Sequence, residues 1–245
     1  MDEIPQIPHT VAMPGILSVV ATPIGNMGDI TLRAIETLKA AEAIACEDTR
    51  VTVKILERYA IAHKPLISLH HHSAEGKITE VVNVLLDGKN IAYVSDAGTP
   101  GVNDPGGKLV EAAVEAGIAV TPIPGASAVT AAISVCGFPM ERFTYVGFLP
   151  HKKGRSTLIK DIAAREDATI FLESTHRIEK ALDEFADVLD PDRKVYVGRE
   201  LTKKFETHLR GTIAQIQAQL KEGSAKGEFI VIIAPTVRRA ASTNI

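Results

Sequence analysis

Residues 93–107 read YVSDAGTPGVNDPGG, the tail of an apolar strand running into a loop with four glycines, two prolines and two aspartates. Glycine at that density lets the backbone approach something closely, and proline stiffens the same loop. A phosphate cradle is the first thought. No Gly-Lys-Ser/Thr follows the glycines, however, and Asp96 would repel an anion. The same strand–loop–helix unit recurs outward along the chain. Continuous apolar runs at 17–21, 44–46, 66–69, 91–95 and 118–123 read as buried strands. Amphipathic stretches at 29–39, 51–59, 75–86 and 108–116 read as the helices between them, and a small-residue helix follows near 127–135. Strands without a polar face, separated by helices, imply a mainly parallel sheet covered on both sides.

CGFPMERF (136–143) breaks this pattern, after which strands at 144–148, 169–172, 194–198 and 229–234 alternate with helices at 156–165, 178–189 and 212–220. The polar, alternating segment 205–209 reads as an edge strand. The fold class is therefore α/β, with two α/β domains and mainly parallel sheets. Their boundaries are expected at 16–137 and 138–235, with loose tails at 1–15 and 236–245.

Composition narrows the function. A formal charge of −3 excludes a protein that clamps nucleic acid over its whole surface, and 4% aromatics without Trp exclude a broad base-stacking platform. Cys46 and Cys136 sit in apolar surroundings and read as buried free thiols. No apolar run approaches the length of a membrane span, and the N-terminus is acidic and proline-broken, unlike a signal peptide. A cytoplasmic location without membrane contact is expected. Adjacent histidines in LHHHS (69–73) diverge from one another, so no metal site is expected.

Three loops leave strand carboxyl ends, where open α/β sheets bind ligands: ATPIGNMGD (21–29), SDAGTPGVNDPGG (95–107) and PIPGASA (122–128). Asp96 is placed to accept from ribose hydroxyls or a ligand ammonium. Ser127 is placed to cap the helix after it, whose amides would receive a carboxylate. One such loop is an ordinary tight turn. Three in one chain suit a zwitterionic, nucleoside-like ligand.

Three polar clusters also end strands: CEDTR (46–50), FLESTHR (171–177) and GRELTK (198–203). Each has a local reading, with Asp48 and Thr49 capping a helix near Arg50, and Glu173 and Ser174 one near Arg177. Their shared placement adds a second reading, in which Arg50, Arg177, Arg199 and Lys203 bring positive charge to one cleft for a phosphate-bearing substrate. The basic loop LPHKKGR (149–155) is placed to touch a nucleic-acid backbone.

TPIGNMGDITLRA (22–34), EDTR (47–50), SDAGTPGVNDPG (95–106), PIPGASA (122–128), GFLP (147–150), ESTHR (173–177), RELTK (199–203) and KGEFIVII (226–233) occur in that order. Together they closely resemble the small-subunit ribosomal-RNA methyltransferase I family of the tetrapyrrole methylase superfamily, over about residues 16–235. The resemblance implies S-adenosylmethionine bound in an interdomain cleft and a homodimer. It implies methylation of a cytidine ribose 2′-hydroxyl in 16S ribosomal RNA of the small ribosomal subunit. It places the cofactor against Pro23, Asp96, Gly98, Thr99, Ser127, Ala128 and Ser174. Substrate and catalytic roles fall on Glu47, Asp48, Arg50, Glu173, His176, Arg177, Arg199, Glu200 and Lys203, with no single base singled out. Thr175 stands where relatives tend to carry proline in an ESPHR-like stretch, which implies a less rigid turn. HHHSA stands where they often read HEHNE. Many relatives also extend further beyond the last strand, and if that extension grips RNA, weaker substrate affinity is expected here. Two other readings stay open: a methylase of small tetrapyrroles, whose GxGxGD-like first loop TPIGNMGD lacks, and a non-catalytic ribosome-binding relative.

Overall fold

A computed structural model of the chain describes residues 13–69 and 75–236. Most of both expected tails, and the HHHSA stretch at 70–74, lie outside the described residues. The chain forms two units. The first runs to Ala126, except for Ile24–Asn26, which group with the second unit from Ser127 onward.

The first unit holds β1 (Ile16–Val20), α1 (Leu32–Ala40), β2 (Ala43–Cys46), α2 (Thr49–Arg58), β3 (Leu66–Ser68), α3 (Glu75–Leu86), β4 (Ile91–Val94), α4 (Gly106–Glu115) and β5 (Ala119–Ile123). Its sheet has the order β3-β2-β4-β1-β5, and every pairing is parallel. The two faces are sorted by residue parity. Ala92 and Val94 pack with Leu38 and Leu56 of α1 and α2. Ile91 and Tyr93 pack with Leu85 and Leu109 of α3 and α4. α1 starts later than expected, because Met27–Asp29 form a 3₁₀ turn and the Thr31 hydroxyl caps the helix by accepting from Ala34 N–H at 3.1 Å. Asp48 caps α2 as expected, accepting from Arg50 N–H at 2.8 Å. The connection from β1 runs toward β2, whereas that from β4 runs the other way, toward β5. β1 and β4 are neighbours, so the strand order reverses between them. That is the switch point at which α/β sheets open a crevice.

The second unit holds α5 (Ala128–Cys136), β6 (Phe143–Phe148), α6 (Arg155–Ala164), β7 (Ala168–Ser174), α7 (Ile178–Ala186), β8 (Val195–Arg199), β9 (Thr207–Gly211), α8 (Ile213–Glu222) and β10 (Glu228–Ile233). Its strand order is β6-β7-β10-β8-β9. Here the expectation of mainly parallel pairing gives way. Only β6 and β7 are parallel, while β10 runs antiparallel to β7 and β8, and β9 antiparallel to β8. The connection 200–206 is too short for a parallel crossover, so it turns back as a hairpin. β9 is the expected edge strand, displaced slightly toward the C-terminus.

The sequence reading placed α5 in the first domain. Instead its Ala132 and Cys136 are fully buried with Ile170, Tyr196, Ile230 and Ile232 of the second sheet. α6, α7 and α8 cover the opposite face of that sheet, through residues such as Ile159, Phe185 and Ile216. Without α5 its other apolar face would stand in water. Cys46 and Cys136 are buried free thiols, and burial pushes the Cys46 thiol up.

Tyr196 is fully buried, with its hydroxyl 2.8 Å from His208 Nδ1. Burial pushes that hydroxyl up to about 12 from the usual 10.0, only partly opposed by Arg210, whose guanidinium carbon lies 5.2 Å from the ring centre. A folded-state value above the unfolded one means stability is complete below pH 10 and lost as pH rises toward 12. Tyr196→Phe is expected to remove on the order of 2 kcal/mol of that alkaline loss, measured as urea unfolding free energy at pH 9 and 12. Parallel curves for the two proteins would contradict it.

Candidate active site

In the first unit, the loops leaving the carboxyl ends of β1, β4 and β5 are laced to one another. Thr22 N–H donates to Gly98 O at 2.9 Å, and Gly98 N–H donates to Thr22 O at 3.0 Å, a two-way bridge at the switch point. Gly98 takes φ 79°, the left-handed region that disfavours a side chain. The Thr99 hydroxyl donates to Ala126 O at 3.0 Å, tying in the loop after β5. The loop after β2 joins through carboxylates. Asp96 Oδ1 accepts from Asp48 N–H at 2.9 Å, and Glu47 Oε2 accepts from Asp96 N–H at 3.4 Å. Asp96 Oδ2 has no hydrogen bond to protein among the described residues, leaving one acceptor at the place where the sequence reading put a ligand.

The second half of YVSDAGTPGVNDPGG has a different task. Asp104 accepts from Gly101 N–H at 2.7 Å, from Gly106 N–H at 2.8 Å and from the buried Tyr93 hydroxyl at 2.9 Å. A Cβ on Gly106 would lie 2.3 Å from Tyr93 Cε1, so the glycine there is a packing requirement. NDPGG is thus a closed turn that starts α4, and the open acceptor of the loop is in its first half, at Asp96.

In the second unit, the carboxyl ends of β6, β7 and β8 and the amino ends of β9 and β10 lie on one sheet edge. ESTHR, RELTK, GFLP and KGE meet along this rim. Glu173 has a side chain with 0% exposure; Arg177 Nε lies 3.2 Å and Arg155 Nη1 3.5 Å from its two oxygens, and Ser174 N–H donates to it at 2.9 Å. Arg177 also donates to the Leu149 and Pro150 carbonyls, and Arg155 to Pro150 O at 3.1 Å and Glu184 at 2.7 Å. These bonds correct two expectations. Glu173 caps no helix; its fully buried carboxylate lies between Arg155 and Arg177, and Glu184, 2.7 Å from Arg155, supplies the second negative charge. Arg155, read as part of a basic loop facing nucleic acid, is buried beneath that loop. Nothing in the pattern of an arginine at a helix start announces such burial.

Along the rim, Lys203 Nζ lies 3.0 Å from both Glu200 Oε1 and Glu228 Oε2, and Glu228 N–H donates to Glu200 Oε1 at 2.9 Å. Glu200 and Thr202 take φ 52° and 64°, strained values for residues with side chains. Burial raises the Glu200 carboxyl and lowers the Lys203 ammonium, but their mutual bonds and Glu228 outweigh it. Glu200 is held below the usual carboxylate range and Lys203 above the usual lysine range. Arg199 donates to Lys226 O at 2.5 Å and Phe205 O at 3.1 Å. A Cβ on Gly25 would lie 2.4 Å from Lys203 Cγ, so the tip of the first loop must be glycine to pack on that lysine.

The four cations divide between the two units. Arg177, Arg199 and Lys203 share the rim, each engaged by protein, whereas Arg50 is exposed in the first unit and paired with Asp48. His176 is exposed at the rim. Ser127 holds the N-cap position of α5 with extended backbone but makes no side-chain cap bond, contrary to expectation. Pro23 ends the first unit's stretch of loop, and Ala128 opens α5 in the second. Thr175 does not loosen its turn. Its hydroxyl accepts from Gly227 N–H at 2.6 Å and donates to Gly227 O at 2.7 Å, a clamp that proline could not make.

Residues 17–217 match the family of Tetrapyrrole (Corrin/Porphyrin) Methylases. The chain belongs to that family. Among curated relatives of this methylase, "Ribosomal RNA small subunit methyltransferase I" of Xylella fastidiosa is 45% identical over 226 residues, covering 91% of this chain and 82% of that protein. The protein of the same name from Escherichia coli O157:H7 is 46% identical over 222 residues, covering 89% and 77%. Among solved structures, uroporphyrin-III-C-methyltransferase from Thermus thermophilus superposes with a TM-score of 0.63 at 17% identity, over 90% of this chain and 94% of that one. Cobalt precorrin-4 methyltransferase gives 0.61 at 16% identity, over 94% and 98%. These two share the methylase fold.

Removing one partner from a buried pair leaves uncompensated charge. Glu173→Ala is expected to cost this methylase about 3–5 kcal/mol in denaturant unfolding, more than any single exposed rim substitution. A cost under about 1 kcal/mol would show that Arg155 and Arg177 do not depend on it.

Proposed function

We propose that this methylase uses S-adenosylmethionine to methylate the ribose 2′-hydroxyl of a cytidine in 16S ribosomal RNA. The relatives named for ribosomal RNA, at 42–46% identity over about nine-tenths of this chain, support the substrate class. The ribose position rests on the motif resemblance. The observation that carries the cofactor reading is the switch-point edge itself: a stiffened, cross-bridged set of loops with Asp96 Oδ2 as an open acceptor. An acceptor for hydroxyls or an ammonium suits a sulfonium-bearing nucleoside better than a polyphosphate. Asp96, Gly98 and Thr99 would hold it, with Pro23, Ser127, Ala128 and Ser174 completing the set.

S-adenosylmethionine, when bound, supplies a methyl group on a readily leaving sulfonium. The chain's part is to position the reactants and to stabilise charge on the attacking oxygen. Glu173 has no access to a substrate proton, and Lys203 keeps its own. Lys203 therefore serves as a fixed cation at the rim rather than as a base. Proton removal is left to Glu47, Asp48, His176 or Glu200, with Glu200 the weaker acceptor because its carboxyl is held low. Arg50, Arg177 and Arg199 orient ribose and phosphate in this scheme.

Action on the assembled small ribosomal subunit, as a homodimer in the cytoplasm, completes the reading. The charge of −3 supports recognition of an assembled particle over tight binding of naked RNA. No helix among the described residues is long and apolar enough to cross a membrane. The test is methyl transfer to unmodified small subunits, with the modified nucleoside mapped by mass spectrometry. Lys203→Ala is expected to slow single-turnover transfer by about 10²-fold, with Lys203→Arg partly restoring it. An unchanged rate would remove Lys203 from the chemistry, and transfer to a tetrapyrrole instead of RNA would overturn the assignment.

A further inference from the structure

The rim of the second sheet carries cations of two kinds. Arg155, Arg177, Arg199 and Lys203 are held by carboxylates and carbonyls of the protein, and the last three already serve the reacting ribose in the reading above. Lys152, Lys153 and Lys204 are exposed and in no ion pair among the described residues. Each free group has an aromatic side chain close by in sequence. Phe148, 53% exposed, ends β6 a few residues before Lys152, and Phe205, 63% exposed, follows Lys204, whose Nζ lies 5.6 Å from its ring centre. Large exposed aromatics beside unpaired lysines are the side-chain chemistry that single-stranded nucleic acid uses, with bases stacking and phosphates paired.

Topology puts the two pairs on the same edge. β6 and β8 point the same way, with β7 and β10 between them, so their carboxyl ends are three strand spacings apart, about 14 Å. That distance spans a few nucleotides. The loop after β6 is also held firmly from below. Arg177 and Arg155 grip the Leu149 and Pro150 carbonyls, Arg177 Nη1 lies 3.3 Å from His151 Nε2, and Glu173 fixes both arginines. The carboxylates nearest the free lysines have other partners. Glu200 and Glu228 share Lys203, each at 3.0 Å, and Glu206 lies 3.3 Å from His208.

We propose that this rim is the track for the single-stranded ribosomal RNA flanking the target nucleotide. Lys152 and Lys153 take phosphates at one end, and Lys204 takes one at the other, where Phe205 stacks a base. Glu173 is a positioning residue for the first of these contacts. The inference rests on the ribosomal-RNA reading above and adds to it a surface, a strand form and the residues that read it.

The full-length protein is titrated against a fluorescein-labelled single-stranded fragment of the small-subunit RNA at a series of KCl concentrations. Methyl transfer to unmodified subunits is followed in parallel. The triple substitution Lys152→Ala, Lys153→Ala and Lys204→Ala is expected to flatten the salt dependence of log Kd by about 2, from roughly 0.7 per lost phosphate contact. Phe205→Ala is expected to weaken binding about 5- to 100-fold with an unchanged salt slope. Both should raise KM for subunits far more than they lower kcat, and both should leave S-adenosylmethionine affinity by calorimetry as in the wild type. If the wild type methylates subunits while the variants match it in salt slope and KM, the track is wrong and the function stands. Variants that lose activity on subunits yet bind the RNA fragment normally would place a ribosomal protein on this rim and overturn the proposal. A wild type that neither methylates subunits nor binds the fragment would bring down both readings.

Discussion

A carboxylate with no exposure at all, Glu173, sits where the second sheet meets its loops. Moving such an ion out of water costs several kcal/mol, and that cost is offset only when the partners are well placed. Arg177 and Arg155 are those partners, one from the start of α7 and one from the start of α6. Because each arginine also holds carbonyls at 149–150, the charge pair fixes two helix starts, the end of β7 and the loop after β6 together. The neighbouring stretch repeats the device closer to water, with Lys203 between Glu200 and Glu228 holding a strained turn at φ 52° and 64°. Strain of that kind persists only where surrounding bonds over-determine it.

The two sheets solve the problem of presenting polar groups in different ways. The first is parallel throughout, so all its loops of one kind fall on one edge, and backbone bridges lace them. Its carboxylates also brace the loops: Glu47, Asp48 and Asp104 each accept from a loop or helix-start N–H. The second sheet is largely antiparallel, so strand starts and strand ends mix on its working edge. That mixing lets Glu228 at the start of β10 meet Lys203 beyond the end of β8, a contact between residues distant in sequence.

How much of this was legible in the chain follows from which forces are local. The parallel unit could be read because its strands are apolar on both faces and its turns carry Gly and Pro; Asp48 as a cap is likewise a matter of neighbours. The antiparallel order of the second sheet could not be read, because apolar strands such as FIVIIA look alike whichever way their partners run. The packing partner of α5 is equally non-local: its small apolar residues state that it is buried, not against which sheet. At the site, residue types marked the right loops but not their employment. Glu173 as a buried carboxylate and Arg155 as its partner are set by burial and by contacts across many residues. Thr175 was the reverse case: a departure that suggested looseness proves to be tied, through a hydroxyl bond to a residue 52 positions away.

Ile24–Asn26 leave the first unit and pack with the second, where Ile24 adjoins the cluster around Tyr196 and Ile230. Neither unit is therefore a continuous piece of polypeptide. A fragment begun at Ser127 would lack Ile24 and the glycine that seats Lys203, and the complementary fragment would carry an apolar residue with nothing to bury it. Gene fusion and exchange of one half for a homologue's half are correspondingly constrained. The three residues would have to be inherited with the half they serve rather than the half they are encoded in.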